Sequence, residues 1–291
     1  MTQAELSEEQ VNEIIQGIKI PPQPQILVDL QIEQMDPDIS RIAALIRKDV
    51  GLAGTILKVV NSPIFALPNQ ITSVEQAVSL LGPDQVINIV NGLAIKSELS
   101  DEAIVNMNRF WDSASDIAMA STHICKHLNL PYEDLSYLLG LFHNAGIPLM
   151  MARFKDYLDI AEKSYSGDYE RIIDAENEHY QTNHSVMGYY IARSWKLPAI
   201  IGDLIAEHHN AQMYFLKGKK ASDMFKHLLA ILKTAEHLCG NYKILGNQEQ
   251  DFEWESLQQE ILTWLGIGEY DLEHMQENFL ELGIGGQNYA F

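Results

Sequence analysis

The sequence predicts an all-α protein, and three observations support this prediction. Apolar residues recur with helical spacing along most of the chain, as at Val11, Ile14, Ile15 and Ile18. Residue types that begin or end helices, namely Ser, Asp, Pro and Gly, stand at the boundaries of these apolar runs. No segment of alternating apolar and polar residues bounded by hairpin turns competes with them. Helical periodicity therefore decides the fold class.

The composition is that of a globular protein and disfavours several functions. The 291 residues suffice to bury a core, and 46% of them are hydrophobic. Asp and Glu number 40 against 20 Lys and Arg, a formal charge of −20, which disfavours nucleic acid and membranes as partners. With two cysteines and no apolar leader, a cytoplasmic location without disulfides is expected. The longest uncharged run, residues 135–152, contains His143, Asn144 and Pro148 and predicts no membrane span.

The N-terminal part predicts short helices that Pro and Asp delimit. A capping box at Ser7 begins the opening helix, which is expected to stop before Pro21. After a short apolar segment at residues 26–30, Asp36 is the predicted N-cap of the next helix, with Pro37 in its first turn. The apolar residues of that helix share one face: Ile39, Ile42 and Ile46.

Glycine residues divide the stretch that follows. Gly51 is predicted to separate two helices, the second at residues 52–60. A second capping box at Ser73 begins a helix that Gly82 ends. Residues 85–95 suit a buried helix or a strand, and the helices on both sides favour a helix.

The second half predicts longer helices and an acidic end. The predicted helices are residues 110–128, 133–143, 169–179, 184–195, 198–209 and 224–239. Because the composition turns acidic after residues 217–220, we expect a domain at residues 15–214 and an acidic helical extension at residues 215–291 that packs on it. Apolar residues of this extension form one helical stripe, which we expect to pack in the core rather than to form a protein-binding groove. Its members are Trp254, Leu257, Ile261, Trp264 and Leu265.

All ten histidines lie after residue 120, and helical spacing orients two of them. His208 shares a stripe with Ile201, Leu204 and Ile205, so it is predicted to face the core. His209 is then turned about 100° away from that stripe.

Three further residues are candidates for the same interior. His184 begins its helix, with Gly188 and Ala192 on a face that a neighbouring helix could approach closely. His143 closes an apolar helix, and Glu236 also turns inward. Three helix-borne histidines and a carboxylate that converge in a helical core suggest a metal site. The alternative is that each is a hydrogen-bonded core residue.

Several weak motifs occur in a characteristic order. They are Ile20-Pro21-Pro22-Gln23-Pro24, Asn61-Ser62-Pro63, Trp111-Asp112-Ser113, residues 140–146, His184 with Gly188, Trp195-Lys196-Leu197-Pro198 and His208-His209. In this order they resemble the HDOD family, the "HD-related output domain" of bacterial signalling proteins, over about residues 15–214. The resemblance implies an all-α fold in which an N-terminal helical bundle packs on an HD-phosphohydrolase-like helical core. It does not by itself imply catalysis.

The resemblance also implies where an HD metal site would lie. An HD phosphohydrolase needs a histidine, a His-Asp pair and a distal Asp to hold a metal that activates water. Here these positions hold Ser113, His143-Asn144 and Glu236, so two of the four ligands are lost. The amide of Asn144 cannot bridge two cations as a carboxylate does. Ile147 stands at the lysine position of the related HD-GYP phosphodiesterases, and no Gly-Tyr-Pro segment occurs, which argues against cyclic dinucleotide hydrolysis.

The expectation is therefore a vestigial metal site. Its candidate residues are His143, His184, His208, His209 and Glu236, with Ser113 and Asn144 as degenerate positions. No cofactor is expected. The alternative is a single divalent transition metal, because imidazole and carboxylate are suitable ligands for one. No catalytic residue is predicted.

The leading functional hypothesis is a non-catalytic signal-transduction module that binds a signalling protein partner. The alternative is a residual metal-dependent phosphohydrolase acting on a nucleotide or phosphoester. A third hypothesis takes residues 42–60 as a helix-turn-helix, but the second helix offers Lys58 without an Arg in acidic surroundings, which disfavours DNA binding.

Overall fold

All regular structure in the described part of the chain is helical. The computed structural model describes residues 25–33, 37–48, 50–61, 67, 70–90 and 105–285. No strand occurs in these ranges, so the all-α prediction is confirmed. The predicted opening helix with its capping box at Ser7 lies outside the described residues.

A small helical bundle forms the described N-terminal part. It consists of α1 (Gln25–Glu33), α2 (Ile39–Ile46), α3 (Val50–Val60), α4 (Val74–Leu81) and a helical segment at residues 83–90. The helix α2 packs against α1 and α4, and α4 also packs against α3. The side chains of Ile42, Ile46, Ile56 and Val78 are fully buried between these helices. This bundle therefore has an apolar interior.

The helix α2 begins later than the sequence predicts. Asp36 lies outside the described residues, and Asp38 is the N-cap. Its Oδ1 accepts hydrogen bonds from the backbone N–H groups of Ser40 at 2.8 Å and Arg41 at 3.0 Å. Because Asp38 satisfies these first-turn donors, it starts the helix at Ile39.

The ends of α4 agree with the prediction, whereas the predicted break at Gly51 is wrong. Ser73 Oγ accepts from the backbone N–H of Gln76 at 3.1 Å, and Gly82 ends the helix with φ 84°. Gly51 lies inside α3, because the turn falls earlier, at residues 47–48. A glycine weakens a helix by about 1 kcal/mol without ending it when the apolar side is buried.

Longer helices build the C-terminal part. They are α5 (Val105–His127), α6 (Glu133–Phe142), α7 (Ile147–Arg153), α8 (Tyr157–Ser164), α9 (Ile172–Tyr180), α10 (His184–Ser194), α11 (Ala199–Glu207), α12 (Ala211–Phe215), α13 (Asp223–Leu238), α14 (Asn241–Gly246), α15 (Phe252–Glu255), α16 (Gln258–Leu265) and α17 (Glu269–Glu281). A 3₁₀ turn, His208–Asn210, lies between α11 and α12. The six predicted helices correspond to α5, α6, α9, α10, α11 and α13.

The sequence does not predict several short helices. The helix α7 has seven residues with a proline near its start, and α8 buries only one aliphatic side chain larger than alanine, Ile160, so neither gives a strong periodic signal. Where one apolar stripe predicts a single helix, the chain forms α15 and α16 with a turn at residues 256–257. Trp254, Leu257, Ile261 and Leu265 are nevertheless buried, which confirms their core packing.

The helix α13 lies at the centre of the C-terminal part. It packs against α5, α6, α11, α14, α15 and α16. Every residue from 228 to 236 is buried, as expected of a helix that its neighbours surround. Residues after the predicted boundary at 214 thus contribute to the core, and the division into two units stays a prediction.

The N-terminal bundle and the C-terminal helices share one hydrophobic cluster. Gln31 Nε2 of α1 donates a hydrogen bond to the backbone oxygen of Trp195 at 3.1 Å. Asn88 Nδ2 donates to the backbone oxygen of Asp134 at 3.3 Å. The bundle therefore packs on the helical core as the sequence predicts.

The stretch Glu133–Arg153 has the length and apolar composition of a membrane span. Inside the protein, however, 83% of its most apolar window is buried. It comprises α6, α7 and the turn between them, which carries His143 and Asn144 into the interior. These apolar residues belong to the core, and the cytoplasmic location stays a prediction.

The approach of α7 to α10 depends on Gly146. A Cβ at this position would overlap the backbone carbonyl of His184 and lie 2.8 Å from the backbone nitrogen of Gly188. We expect Gly146→Ala to lower the free energy of unfolding by about 3 kcal/mol, because backbone atoms cannot move aside as a flexible side chain does. The control is Gly54→Ala on α3, where the added Cβ meets nothing within 4 Å. Urea denaturation compares the two, and equal stabilities would contradict the close approach.

Candidate metal centre

The five residues of the predicted metal site come together. His184 begins α10, His208 and His209 form the turn after α11, His143 follows α6, and Glu236 lies on α13. The four histidines are at most 2% exposed. The ring centroid of His208 lies 5.5 Å from that of His143, 5.4 Å from that of His184 and 4.0 Å from that of His209.

His209 is buried like His208, although an α-helix would turn it about 100° away from the stripe of His208. The α-helix ends at Glu207, and the following residues form a 3₁₀ turn. The α-helical rotation that separates His209 from His208 therefore does not apply beyond Glu207.

Glu176 of α9 fixes the imidazole of His184. Its Oε1 and Oε2 accept from His184 Nδ1 at 2.8 and 3.0 Å, and Oε2 also accepts from the His184 backbone N–H at 2.7 Å. The Tyr157 hydroxyl donates to Oε1 at 2.7 Å. Since an ionised carboxylate can only accept, Nδ1 carries the proton and Nε2 presents a lone pair.

Glu253 of α15 fixes His209 in the same way. Its Oε1 accepts from His209 Nδ1 at 3.1 Å. The Nε2 atoms of His209 and His184 then lie only 3.1 Å apart. Two lone pairs at this distance repel unless a proton or a metal ion lies between them. Two nitrogens bound tetrahedrally to one zinc ion lie about 3.3 Å apart, so the separation suits a shared metal.

His143 and His208 are held by backbone carbonyls. Their Nδ1 atoms each donate at 2.7 Å, to the backbone oxygens of Gly140 and Ile205 respectively. Their Nε2 atoms are buried and have no hydrogen-bond partner among the described residues. His184, His208 and His209 therefore have an anchored Nδ1 and an Nε2 available for a ligand, which is how proteins orient metal-binding imidazoles.

Three of these histidines are placed to bind one ion. One ligand atom each of His184, His208 and His209 lies within 4.8 Å of the others. His143 lies beside this triad, with Nε2 3.4 Å from Glu236 Oε1. The structure thus separates a histidine triad from an adjacent His143–Glu236 pair.

Lys233 of α13 joins two buried carboxylates. Its Nζ lies 2.9 Å from Glu236 Oε2 and 2.9 Å from Glu253 Oε2, and its side chain is 4% exposed. Burial disfavours the ammonium ion, but the attraction of Glu236 and Glu253 outweighs burial and keeps the pKa of Lys233 above its usual value. Burial likewise opposes ionisation of Glu236, but Lys233 and His143 hold its pKa well below the usual value. Lys233 and Glu236 are therefore both charged at neutral pH.

Carboxylates outnumber the ammonium among the buried groups of this site. Burial lowers the pKa values of His208 and His209 well below the usual value, so both rings are neutral at pH 7. Burial raises the pKa of Glu253, and the attraction of Lys233 opposes that shift. Three carboxylates, those of Glu176, Glu236 and Glu253, thus lie in this site beside a single ammonium, that of Lys233. A divalent cation would add positive charge next to them, and the orphaned imidazole nitrogens suit it as ligands.

Ser113 and Asn144, the two degenerate positions, are buried, and no contact described above connects them to the histidine cluster. Ser113 on α5 is 4% exposed and Asn144 is 3% exposed. Asn144 Oδ1 has no hydrogen-bond partner among the described residues. Neither residue offers the imidazole or carboxylate that an HD centre uses at its position.

The sequence interpretation misses three side chains of this site: Glu176, Lys233 and Glu253. A signal exists for two of them. Glu176 follows Ile172 and Ile173 at helical spacing, which places it on the buried side of α9. Lys233 lies within the fully buried stretch of α13. Glu253 belongs to a four-residue helix and has no periodic signal.

A cavity of about 700 Å³ approaches the cluster. Its wall includes His184, Glu176 and Tyr157, which lie on the Nδ1 side of the His184 ring. Leu158 and Leu280 line its exposed part. A cavity of this volume is large enough for a small molecule.

The chain matches known proteins along most of its length. The family model of the HDOD domain matches residues 20–211. A protein of Treponema pallidum (strain Nichols), named "Uncharacterized protein", is 26% identical over 202 residues, which are 66% of this chain and 38% of that protein. The chain thus spans about two fifths of the length of this curated relative.

Several solved structures share the fold. An HDOD domain protein with unknown function from Geobacter sulfurreducens has a TM-score of 0.70 at 20% identity, with 95% of both chains covered. A "putative phosphohydrolase" from Shewanella amazonensis SB2B has a TM-score of 0.67 at 17% identity, with 95% of both chains covered. A "putative signal transduction protein" from Marinobacter aquaeolei VT8 has a TM-score of 0.63 at 18% identity, covering 94% of this chain and 61% of that one.

These likenesses agree with the helical bundle and core described above, and the family model extends over more than half of the chain. The resemblance inferred from the order of motifs is thereby confirmed. This chain belongs to the HDOD family.

Proposed function

We propose that this protein is a non-catalytic signal-transduction module that binds one divalent transition metal and acts on a signalling protein partner. The main observation behind it is that every carboxylate of the cluster is already engaged. Glu176 and Glu253 hold histidine Nδ1 atoms, and Glu236 is paired with Lys233. None is free to act as a general base toward water, and Asn144 stands where a bridging carboxylate would be needed.

The residues present fit a metal ion. His184, His208 and His209 would hold it, and imidazole ligands suit zinc, copper, iron or nickel. When bound, the ion would compensate buried negative charge and join α10 to the turn after α11. Glu176 and Glu253 position two of the ligands, and positioning partners of this kind typically contribute 10 to 100-fold to metal affinity.

Membership of the HDOD family supports a role in signalling, and one solved relative is named a "putative signal transduction protein". The formal charge of −20 favours a partner with a positive surface patch, because complementary charge steers association. The N-terminal bundle and the acidic C-terminal part are the surfaces we propose for it.

Metal content and hydrolysis, measured on one preparation, test this proposal. After zinc loading and desalting, elemental analysis should find about one zinc per chain. The loaded protein should hydrolyse neither nucleotides nor bis(p-nitrophenyl) phosphate in magnesium, manganese, zinc or iron beyond the rate of the free ions. Turnover that His208→Ala abolishes would contradict the non-catalytic role. Protein without bound metal would contradict the metal site, and a pull-down from native cells that recovers no partner would contradict the signalling role.

One observation favours a second candidate, a residual metal-dependent phosphohydrolase acting on a nucleotide or phosphoester. The cavity of about 700 Å³ reaches His184 and has room for such a substrate. The solved structure from Shewanella amazonensis SB2B is named a "putative phosphohydrolase". The same assay separates the two candidates, because only this one predicts hydrolysis that depends on the bound metal.

A further inference from the structure

The ammonium of Lys233 occupies a cation position inside the protein. It lies between Glu236 and Glu253, at 2.9 Å from one carboxylate oxygen of each. Both carboxylates also contact histidines of the cluster: Glu236 lies 3.4 Å from His143 Nε2, and Glu253 accepts from His209 Nδ1 at 3.1 Å. The position is therefore adjacent to the histidine triad and shares its surroundings.

The groups around this position are those that bind divalent cations. Besides the two carboxylates, Asn241 Nδ2 donates to Glu236 Oε1 at 3.1 Å and to the hydroxyl of Tyr165 at 3.4 Å. A cavity of about 10 Å³, room for about one water molecule, lies between these side chains and Lys233. Carboxylate and water oxygens suit manganese and magnesium, and the nearby Nε2 of His143 suits zinc or iron.

We propose that Lys233 is a built-in cation that stands in place of a second divalent ion and so limits this protein to a single metal. The inference rests on the proposed function for the first ion, at the histidine triad. An ammonium ion and a divalent ion within about 3 Å of the same two oxygens repel strongly in a buried site, so the two exclude one another. Carboxylate oxygens bind metals at about 2.0–2.2 Å, so Glu236 and Glu253 would need to move inward by less than about 1 Å each to bind an ion instead.

Lys233 stays positively charged at neutral pH. Although burial lowers it, the pKa of this ammonium is raised overall by Glu236 and Glu253, so it stays protonated throughout the neutral range. At pH 7 Lys233 therefore does not lose its proton, and a divalent ion cannot take its place. Removal of the side chain's charge is the change that opens the position.

The test uses Lys233→Met, which keeps an unbranched side chain and removes the charge. Wild-type protein and variant are loaded with one equivalent of zinc per chain, desalted and titrated with Mn²⁺, and bound Mn²⁺ is counted by electron paramagnetic resonance. Wild-type protein is expected to bind no Mn²⁺ at this position, whereas Lys233→Met is expected to bind about one ion per chain. The charge-preserving control Lys233→Arg should behave as wild type. The double variant Lys233→Met/Glu253→Gln, which lacks one of the two carboxylates, should lose the gained ion.

A folded Lys233→Met protein without bound Mn²⁺ would overturn the inference. If the variant is unfolded without metal, because two carboxylates lose their counter-ion, Mn²⁺ should restore its helical circular dichroism. Failure to restore it would also count against the inference. If wild-type protein holds no zinc, the proposed metal site at the histidine triad is refuted. The uptake of Mn²⁺ by Lys233→Met is a separate measurement, and it decides the role of Lys233 in either case.

Discussion

His209→Ala is expected to weaken zinc binding at least a hundredfold. The Nε2 atom of His209 lies 3.1 Å from that of His184, and the two are within reach of His208. Four-ligand structural zinc sites contribute about 10–16 kcal/mol of binding energy, so one ligand is worth about 3 kcal/mol. Because 1.4 kcal/mol corresponds to a tenfold change in affinity, the loss is about a hundredfold or more. Competition titration with a chromophoric chelator measures it.

The matched control for this variant is His179→Ala. His179 is exposed on α9, and its Nδ1 donates only to the backbone oxygen of Ala175 at 3.0 Å. Its removal should leave zinc affinity unchanged. Equal affinities of His209→Ala and His179→Ala would exclude His209 as a ligand and would place any bound zinc elsewhere.

Glu176→Leu is expected to lower the free energy of unfolding by about 3–5 kcal/mol. The substitution removes the acceptor of three buried donors: the backbone N–H and Nδ1 of His184 and the hydroxyl of Tyr157. Breaking a buried charged network typically costs this much, because the remaining polar groups stay desolvated without a partner. Chemical denaturation of the metal-free protein measures the loss without any contribution from bound zinc.

The control for Glu176→Leu lies two residues away on the same helix. Glu178 is exposed, and its Oε2 accepts only a long 3.4 Å hydrogen bond from Tyr169. Glu178→Leu should change the free energy of unfolding by less than about 0.5 kcal/mol. A comparable loss in both variants would mean that the Glu176 network does not stabilise this core.

The burial of a site residue could be predicted where that residue belongs to a helix with a regular apolar stripe. His208 follows three apolar residues at helical spacing, and it is buried as that pattern indicates. His209 escapes the same reasoning, because the α-helix ends at Glu207 and the next turn is tighter. Glu253 is beyond prediction, since it reaches His209 from a four-residue helix 44 positions later in the chain.

The fold was predictable to a similar degree and for similar reasons. The long helices with buried apolar sides, such as α10 and α13, stand close to their predicted bounds. Short helices give no clear periodic signal: α7 has only seven residues with a proline near its start, and α8 buries a single aliphatic side chain larger than alanine. Gly51 misleads because a glycine within a buried helix and a glycine between two helices look alike in sequence.

The site also extends beyond the part of the chain that the family model matches. That match ends at residue 211, whereas Lys233, Glu236 and Glu253 all follow it. Any fragment that ends near residue 211 would therefore keep the histidine triad and lose the charges around it. Metal binding should be studied on the full chain for this reason.

A single alternative explains the 3.1 Å separation of the two Nε2 atoms without a metal, namely a proton shared between His184 and His209. X-ray absorption spectroscopy at the zinc edge of the loaded 291-residue chain separates the two explanations. A zinc ion at the histidine triad should be surrounded by at least three imidazole nitrogens at about 2.0–2.1 Å, and His208→Ala should lower that number. A shell of oxygen or sulfur only, or a spectrum that His208→Ala leaves unchanged, would contradict a metal at the histidine triad.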